Sequence, residues 1–285
     1  MALSTEEQSF ADEILRITGM KLGAEKAYLI EHRLRDLGAS VASIALELRQ
    51  ATDPGLIDRV VDRILTHETS FFRDEHVFQT LAKQIIPEWM KRKGIDPLKP
   101  QDVRLKIWSC GCSTGQEPYS IVMTVNESFP YLMGNLQLLA TDITEETIAK
   151  ARAAIYTDFE MSRGIQPTMR DRYFEKTGNG YKMRDAFRQH VTFSKLNLVG
   201  GTYPGGFDII FCRNVLIYMD ESVKKGLFEK LRASLKSDGI LILGGAESVM
   251  GFLDNYVMRR HEQTHYYELN PTKVTFFKMP TGDSK

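Results

Sequence analysis

The chain has 285 residues, 42% apolar and 26% charged, with Lys+Arg and Asp+Glu both at 37. That length holds one large domain or two smaller ones, and the composition is that of a globular protein with no bulk charge for nucleic acid or an anionic membrane. The polar start, MALSTEEQSF, is unlike a secretory signal, no apolar run nears the roughly 20 residues of a membrane span, and the three cysteines read as reduced, so a cytoplasmic location is expected.

Up to about residue 75 the chain reads as helices. FADEILRITGM carries Phe10, Ile14, Leu15 and Ile17 at mostly helical spacing. AEKAYLIEHRLRDLG ends on Leu34 and Leu37 with Gly38 as a C-terminal stop. SVASIALELRQA repeats the pattern, and DPGLIDRVVDRIL opens on Asp53 as N-cap and Pro54 at the first helical position. A helix over about 75–91 follows, which Pro87 is expected to kink or split. KRKGIDPLKPQD, basic with one Gly and two Pro, reads as a linker.

From Val103 strands and helices alternate. VRLKIWS, LQLLATD, HVTFSKL, FDIIFCR and GILILGG are the strands, with SVKKGLFEKLRASLKSD the clearest helix between them. Such alternation implies a parallel sheet with crossover helices. YVMRRHEQTHYYELN and KVTFFKM alternate instead like antiparallel strands, and Asn179-Gly180 signals a hairpin. The fold class that follows is α/β. A small N-terminal all-α domain (1–75) and a connecting helix and linker (76–102) precede a doubly wound, Rossmann-like domain (103–285). That domain carries an antiparallel C-terminal edge and a small antiparallel β insertion at about 172–195.

The loop IWSCGCSTGQEPYS joins the first strand to its helix. It has neither G-x-G-x-x-G nor a phosphate-cradling lysine. Gly111 and Gly115 let the backbone approach a ligand, and a helix starting near Gln116 offers free N–H groups. Glu117 in its first turn would repel a pyrophosphate and attract positive charge or hydroxyls, or it is an ordinary helix N-terminal acid. Asp142 ends the second strand, where an acid suits ribose hydroxyls, although 31 residues from Gly111 exceeds the roughly 20 of a dinucleotide fold. Adenosine with a cationic tail fits, and S-adenosylmethionine is such a molecule.

Cys110, Cys112 and Cys212 read as small buried residues rather than zinc ligands, and no metal is expected. HEQTH, 261–265, matches H-E-x-x-H, but its flanks alternate like strands. In one strand His261 and His265 would share a face about 13 Å apart, too far for one zinc.

THETSFFRD (66–74), GCSTGQEPYS (111–120), LATDI (139–143), LNL (196–198) and FDIIFCRNVLIYM (207–219) occur in an order and spacing that resemble the chemotaxis receptor methyltransferases, the CheR family. The resemblance spans about residues 10 to 270. It implies methyl transfer from S-adenosylmethionine to glutamate side chains of chemoreceptor cytoplasmic helices, leaving glutamate methyl esters and S-adenosylhomocysteine. By the same resemblance Thr69, Arg73, Gly111, Glu117, Asp142, Asn197, Leu198, Arg213 and Asn214 line the cofactor site. Position 67, commonly Asn in the family, is His67 here. Arg73 and Tyr218 correspond to residues nearest the reacting groups. Of Phe71 and Phe72, one is expected to cover the adenine or close the site and the other to pack between domains, or both to lie in the core.

Lys26 and Arg33, seven apart, share a helix face, and Arg35 points elsewhere. They read as a solvated face or as a dock for an acidic receptor bundle, with the β insertion a second dock that adds a peptide strand to its edge. The chain is read as a monomer with no nucleic-acid partner and no membrane insertion. A regulator that only binds S-adenosylmethionine, and a methyltransferase acting on a small molecule, remain as other readings.

Overall fold

Ser4 starts the first helix with a capping box: its Oγ accepts the Glu7 N–H, and the Glu7 carboxylate accepts the Ser4 N–H. This computed structural model describes residues 2–24, 27–51, 53–65, 67–96 and 103–270. Helix α1 (Thr5–Thr18) ends at Gly19, φ 73°. Helices α2 (Ala27–Leu34), α3 (Val41–Gln50) and α4 (Pro54–Ile64) close with it around Phe10, Ile14, Ile30, Leu34, Ile44, Leu48 and Val60. Ser40 and Asp53 cap α3 and α4 as side-chain acceptors, with Pro54 at the head of α4 as expected.

Helix α5 (Glu75–Thr80), a π-helical turn (Leu81–Ile85) and α6 (Ile86–Lys93) follow one another without a break. Pro87 neither splits nor stops this rod. The Ile86 N–H reaches back to the Leu81 carbonyl, and that wider turn makes room for a proline that cannot donate to the carbonyl four residues before it. The second half of the expected linker (97–102), and the KVTFFKM strand, lie outside the described residues.

The main sheet is seven-stranded, in the order β6-β2-β1-β7-β8-β10-β9. Its members are β1 (Leu105–Cys110), β2 (Leu136–Asp142), β6 (Val191–Lys195), β7 (Phe207–Cys212), β8 (Leu235–Leu243), β9 (Tyr256–His261) and β10 (Thr264–Leu269). The first five in sheet order are parallel, while β10 runs antiparallel to both β8 and β9. Helices α7 (Gln116–Ser128) and α8 (Glu145–Ala153) make the crossovers from β1 and β2. Ile107, Ile209, Phe211, Ile240 and Ile242 face one core, and Trp108, Cys110, Ile210, Cys212 and Leu241 the other. From β1 the chain winds out to β2 and β6, then returns to the other side of β1 as β7. That reversal opens a crevice at the carboxyl ends of β1 and β7.

The β insertion is a second, three-stranded sheet, β3-β5-β4, from β3 (Ile155–Tyr156), β4 (Phe174–Thr177) and β5 (Gly180–Met183). Helices α9 (Asp158–Ser162) and α10 (Pro167–Tyr173) fill the interval, and α11 (Asp185–Arg188) follows. The unit thus begins near 155 rather than 172, and Val191–Lys195 belongs to the main sheet. A two-residue strand is too short to leave a period in the sequence. The hairpin register pairs Thr177 with Gly180, so the turn is Gly178-Asn179, one residue earlier than expected. Gly180 sits in the strand with φ 125°, and a Cβ there would run into the Tyr156 carbonyl.

The HEQTH segment also departs from expectation. A turn at Glu262-Gln263 falls inside it, pairing His261 with Thr264 and Arg260 with His265 across β9 and β10. Thr264 Oγ1 lies 2.8 Å from His76 Nδ1, and His261 Nδ1 lies 3.3 Å from Thr80 Oγ1, so this hairpin is pinned to α5. Helix α12 (Glu221–Ser234), capped by Asp220, leads into β8.

Candidate active site

A cleft open to solvent occupies the crevice. His67, Thr69 and Arg73 reach it from the segment before α5, Gly111 and Ser113 from the loop after β1, and Glu117 from the first turn of α7. Asp142 and Ile143 come from the end of β2, and Leu196, Asn197 and Leu198 from beyond β6. Arg213, Asn214, Val215, Tyr218 and Met219 follow β7. His67, Thr69, Arg73, Gly111, Glu117, Asp142, Asn197, Leu198, Arg213, Asn214 and Tyr218, all expected at the site from the sequence, therefore line one cavity, and Gly115 does not.

The buried end is built around two carboxylates. Glu117 lies at the start of α7, whose N-cap Gly115 has φ 96°. Its Oε1 accepts from Ser109 Oγ at 2.8 Å and its Oε2 from Arg213 Nη1 at 2.9 Å. Burial pushes the Glu117 carboxyl up, against the pull of Arg213 and Ser109. The sequence reading leaves Glu117 waiting for a cation, whereas Arg213 already supplies one. Arg213, with only 1% of its side chain exposed, also donates Nη2 to the Arg73 carbonyl (2.9 Å) and to Asp74 Oδ2 (2.6 Å). It thus links β7, α7 and the segment carrying Arg73.

Asp142 accepts the Ser113 N–H (2.7 Å) on one oxygen and the Ile143 N–H (2.8 Å) on the other. Burial raises its pKa, opposed by these two backbone donors. Each carboxylate oxygen accepts two hydrogen bonds, so both acids keep capacity on the cleft side. Gly111, φ 67°, has a local reason too: a Cβ there would run into Val215 Cγ2. A Cβ at Gly115 would press on Tyr156 and Ala151.

Arg73 stands between Phe72 (φ 49°) and Asp74 (φ 57°), both left-handed without being glycine. The Phe72 N–H donates to Ser120 Oγ, and Arg73 Nη1 to the Glu68 carbonyl (3.0 Å). Neither Phe71 nor Phe72 lines the cleft. Phe71 is buried edge-on against Tyr156 and Phe174 of the insertion, and Phe72 against Phe78. Phe78, like Tyr218, is an aromatic ring that lines the cleft.

His67 is tied to the helical domain. Its Nε2 lies 3.0 Å from the Asp62 carbonyl and 3.3 Å from the Asp62 carboxylate, and its Nδ1 3.4 Å from Thr147 Oγ1. Burial disfavours the charged ring, and the Asp62 carboxylate more than reverses this, leaving His67 above the ordinary imidazole value. Asp62, hydrogen-bonded by His67, Thr144 and Thr147, is held well below the usual carboxylate range. Asn197 turns its amide the same way: Nδ2 donates to the Ile17 carbonyl (2.7 Å) and Oδ1 accepts the Val199 N–H.

Sequence reasoning missed the walls from the helical domain, Thr18, Met20 and Leu65. Met20 bridges Met219 in antiparallel fashion, the Lys21 N–H donates to the Tyr218 carbonyl, and the Asp220 N–H to the Gly19 carbonyl. The glycine before Met20 was the available signal, since a Cβ at Gly19 would press on Val199 and Val223. Among the basic residues read as a dock, Lys26 lies outside the described residues. Arg33 Nη1 donates to the carbonyls of Arg63, Ile64 and Leu65 at the end of α4. Arg35 is exposed.

Residues 67–266 match the family model for the "CheR methyltransferase, SAM binding domain". The chain is 34% identical over 267 residues to chemotaxis protein methyltransferase 1 of Pseudomonas aeruginosa, covering 90% of this chain and 95% of that one. It is 36% identical to a chemotaxis protein methyltransferase of Vibrio parahaemolyticus (88% and 92% covered) and 32% identical to that of Escherichia coli (80% and 77%). With a doubly wound sheet, a cleft at its reversal point and these relatives over most of its length, the chain belongs to the CheR family of S-adenosylmethionine-dependent methyltransferases.

Proposed function

We propose that the protein transfers the methyl group of S-adenosylmethionine to glutamate carboxylates of chemoreceptor cytoplasmic helices, giving methyl esters and S-adenosylhomocysteine. The observation that carries this reading is the pairing of two kinds of group in one cleft. Two little-exposed carboxylates, Asp142 (8%) and Glu117 (13% of its side chain), line it together with half-buried Arg73 and Tyr218. The inner end fits the cofactor by the chemistry of its acceptors: Asp142 has acceptor capacity for a ribose diol, Glu117 for an ammonium group. His67, Thr69, Gly111, Asn197, Leu198, Arg213 and Asn214 complete that part.

When bound, S-adenosylmethionine supplies an electrophilic methyl on a sulfonium. The chain's own task is positioning. A substrate glutamate, pKa near 4.3, is ionised at neutral pH and needs no general base. Arg73, one Nη1 contact to the Glu68 carbonyl aside, has guanidinium donors to orient a carboxylate, and Tyr218 adds a second handle. Their hold has to stay moderate, because the carboxylate charge disappears in the transfer. Holding a nucleophile about 3–3.5 Å from its target in line is worth on the order of 7–11 kcal/mol in favourable systems.

The test is incubation with methyl-labelled S-adenosylmethionine and a purified receptor signalling domain. Base-labile label on receptor glutamates is the expected result. Cofactor binding with no label on the receptor would overturn the substrate assignment.

A further inference from the structure

Strand β7 ends at Cys212, and the chain then turns through Arg213 and Asn214 (φ 58°) into a short 3-10 turn, Leu216–Tyr218. A strand that breaks into such a turn leaves successive N–H groups pointing one way with no carbonyl to take them. Here one side chain takes them all. Glu247 Oε1 accepts the N–H groups of Val215 (2.9 Å), Leu216 (2.7 Å) and Ile217 (3.2 Å), and Oε2 those of Asn214 (2.9 Å) and Gly244 (2.7 Å). Glu247 stands in the loop after β8, so its carboxylate joins the ends of two neighbouring strands. Gly244 leaves the room: a Cβ there would meet Glu247 Oε2 at 2.7 Å and the Asn214 nitrogen at 3.0 Å.

The geometry points to Glu247 as a positioning residue, one that sets the turn bearing Asn214 and Tyr218 against the cofactor and the incoming carboxylate. No part of the Glu247 side chain lines the cleft. It acts through backbone groups, and its charge matters as much as its shape. A carboxylate offers two oxygens to the five donors, whereas a carboxamide offers one and turns an NH₂ on the rest. Hydrogen bonds to an ionised acceptor are also about twice as strong as neutral ones. The turnover part of this proposal rests on the methyl-transfer reading, and the binding part does not.

Two variants test it. Glu247→Gln keeps the shape, and Glu247→Ala leaves the converging N–H groups facing a gap that acetate fits. Both are expected to stay folded by circular dichroism and to bind S-adenosylhomocysteine roughly tenfold more weakly by calorimetry, about 1.4 kcal/mol. Turnover on receptor is expected to fall further, in kcat more than in KM for receptor. Acetate at tens of millimolar, and not chloride at equal ionic strength, is expected to restore Glu247→Ala and to leave Glu247→Gln unchanged. Wild-type affinity and kcat in both variants would overturn the proposal, as would a Glu247→Ala protein indifferent to acetate. If Glu247→Ala does not fold, hydrogen exchange in the unaltered protein decides. The amides of Val215 and Leu216 are expected to exchange roughly a hundredfold more slowly than an open loop, and loop-like rates would sink the clamp. A wild-type protein that binds S-adenosylhomocysteine and labels no receptor would count against the receptor reading, with the clamp still judged on binding.

Discussion

Arg73 is presented by a backbone that does not relax by itself. The left-handed residues on either side cost about 1–3 kcal/mol each and persist because Ser120, Asp74 and Arg213 hold the segment. Arg73→Ala is expected to lower kcat about a hundredfold in receptor methylation assays, with S-adenosylhomocysteine affinity changing far less. Wild-type turnover in that variant would remove Arg73 from the reaction. His67 gives a prediction of another kind. Its folded pKa lies above the ordinary value of about 6.5, so the stability it contributes is complete below that pH and is lost as pH rises through the folded value. Asp62, depressed, contributes above the carboxylate range and loses its part only in acid. Urea unfolding is expected to show stability falling as pH rises above the ordinary imidazole value of about 6.5, and His67→Asn is expected to flatten that slope. An unchanged slope would mean that the Asp62–His67 pair does not carry it.

Among the elements, α2 and α4 show how a residue read for its charge is used for its geometry. Arg33 closes the last carbonyls of α4 and so acts as a C-terminal cap, favoured by the helix dipole. Arg33→Ala is therefore expected to cost about 1–2 kcal/mol in chemical denaturation. Exposed Arg35 is the cleaner probe of docking: Arg35→Glu is expected to weaken receptor affinity while leaving the denaturation midpoint in place. Loss of affinity only with Arg33, in step with unfolding, would assign the effect to the fold. A helix face in sequence records which side chains share a side. It does not record which carbonyls another helix brings beside them, and the contact of Arg33 with residues some thirty positions on is of that sort. The strands were legible for the opposite reason. LQLLATD and FDIIFCR carry their own burial pattern, and β2 and β7 appear where those segments stand.

At the scale of the whole molecule, the cleft is shared. The family match begins at residue 67, yet Thr18, Met20 and Leu65 stand in the wall, and the turn at 19–21 is hydrogen-bonded to 218 and 220. A fragment spanning 67–270, tested beside the full chain, is expected to bind S-adenosylhomocysteine roughly tenfold more weakly, the worth of about one lost apolar wall. Equal affinity would give the helices no part in cofactor binding. The acids at the inner end were readable because their chemistry is local to two strand ends. The helical wall was not, because a Thr and a Met have no chemistry of their own and count only through what folds over them.

Cys110, Cys112 and Cys212 are at most 1% exposed, and Cys110 and Cys212 face each other in the register of β1 and β7. Burial raises the thiols of Cys110 and Cys112 well above their ordinary value, so at neutral pH both are un-ionised and shielded. The native protein should therefore resist alkylation, while any opening of the β1–β7 seam hands a reagent fresh nucleophiles. Thiol labelling becomes a clock for that opening, and S-adenosylhomocysteine, if it binds only the closed seam, is expected to slow the clock.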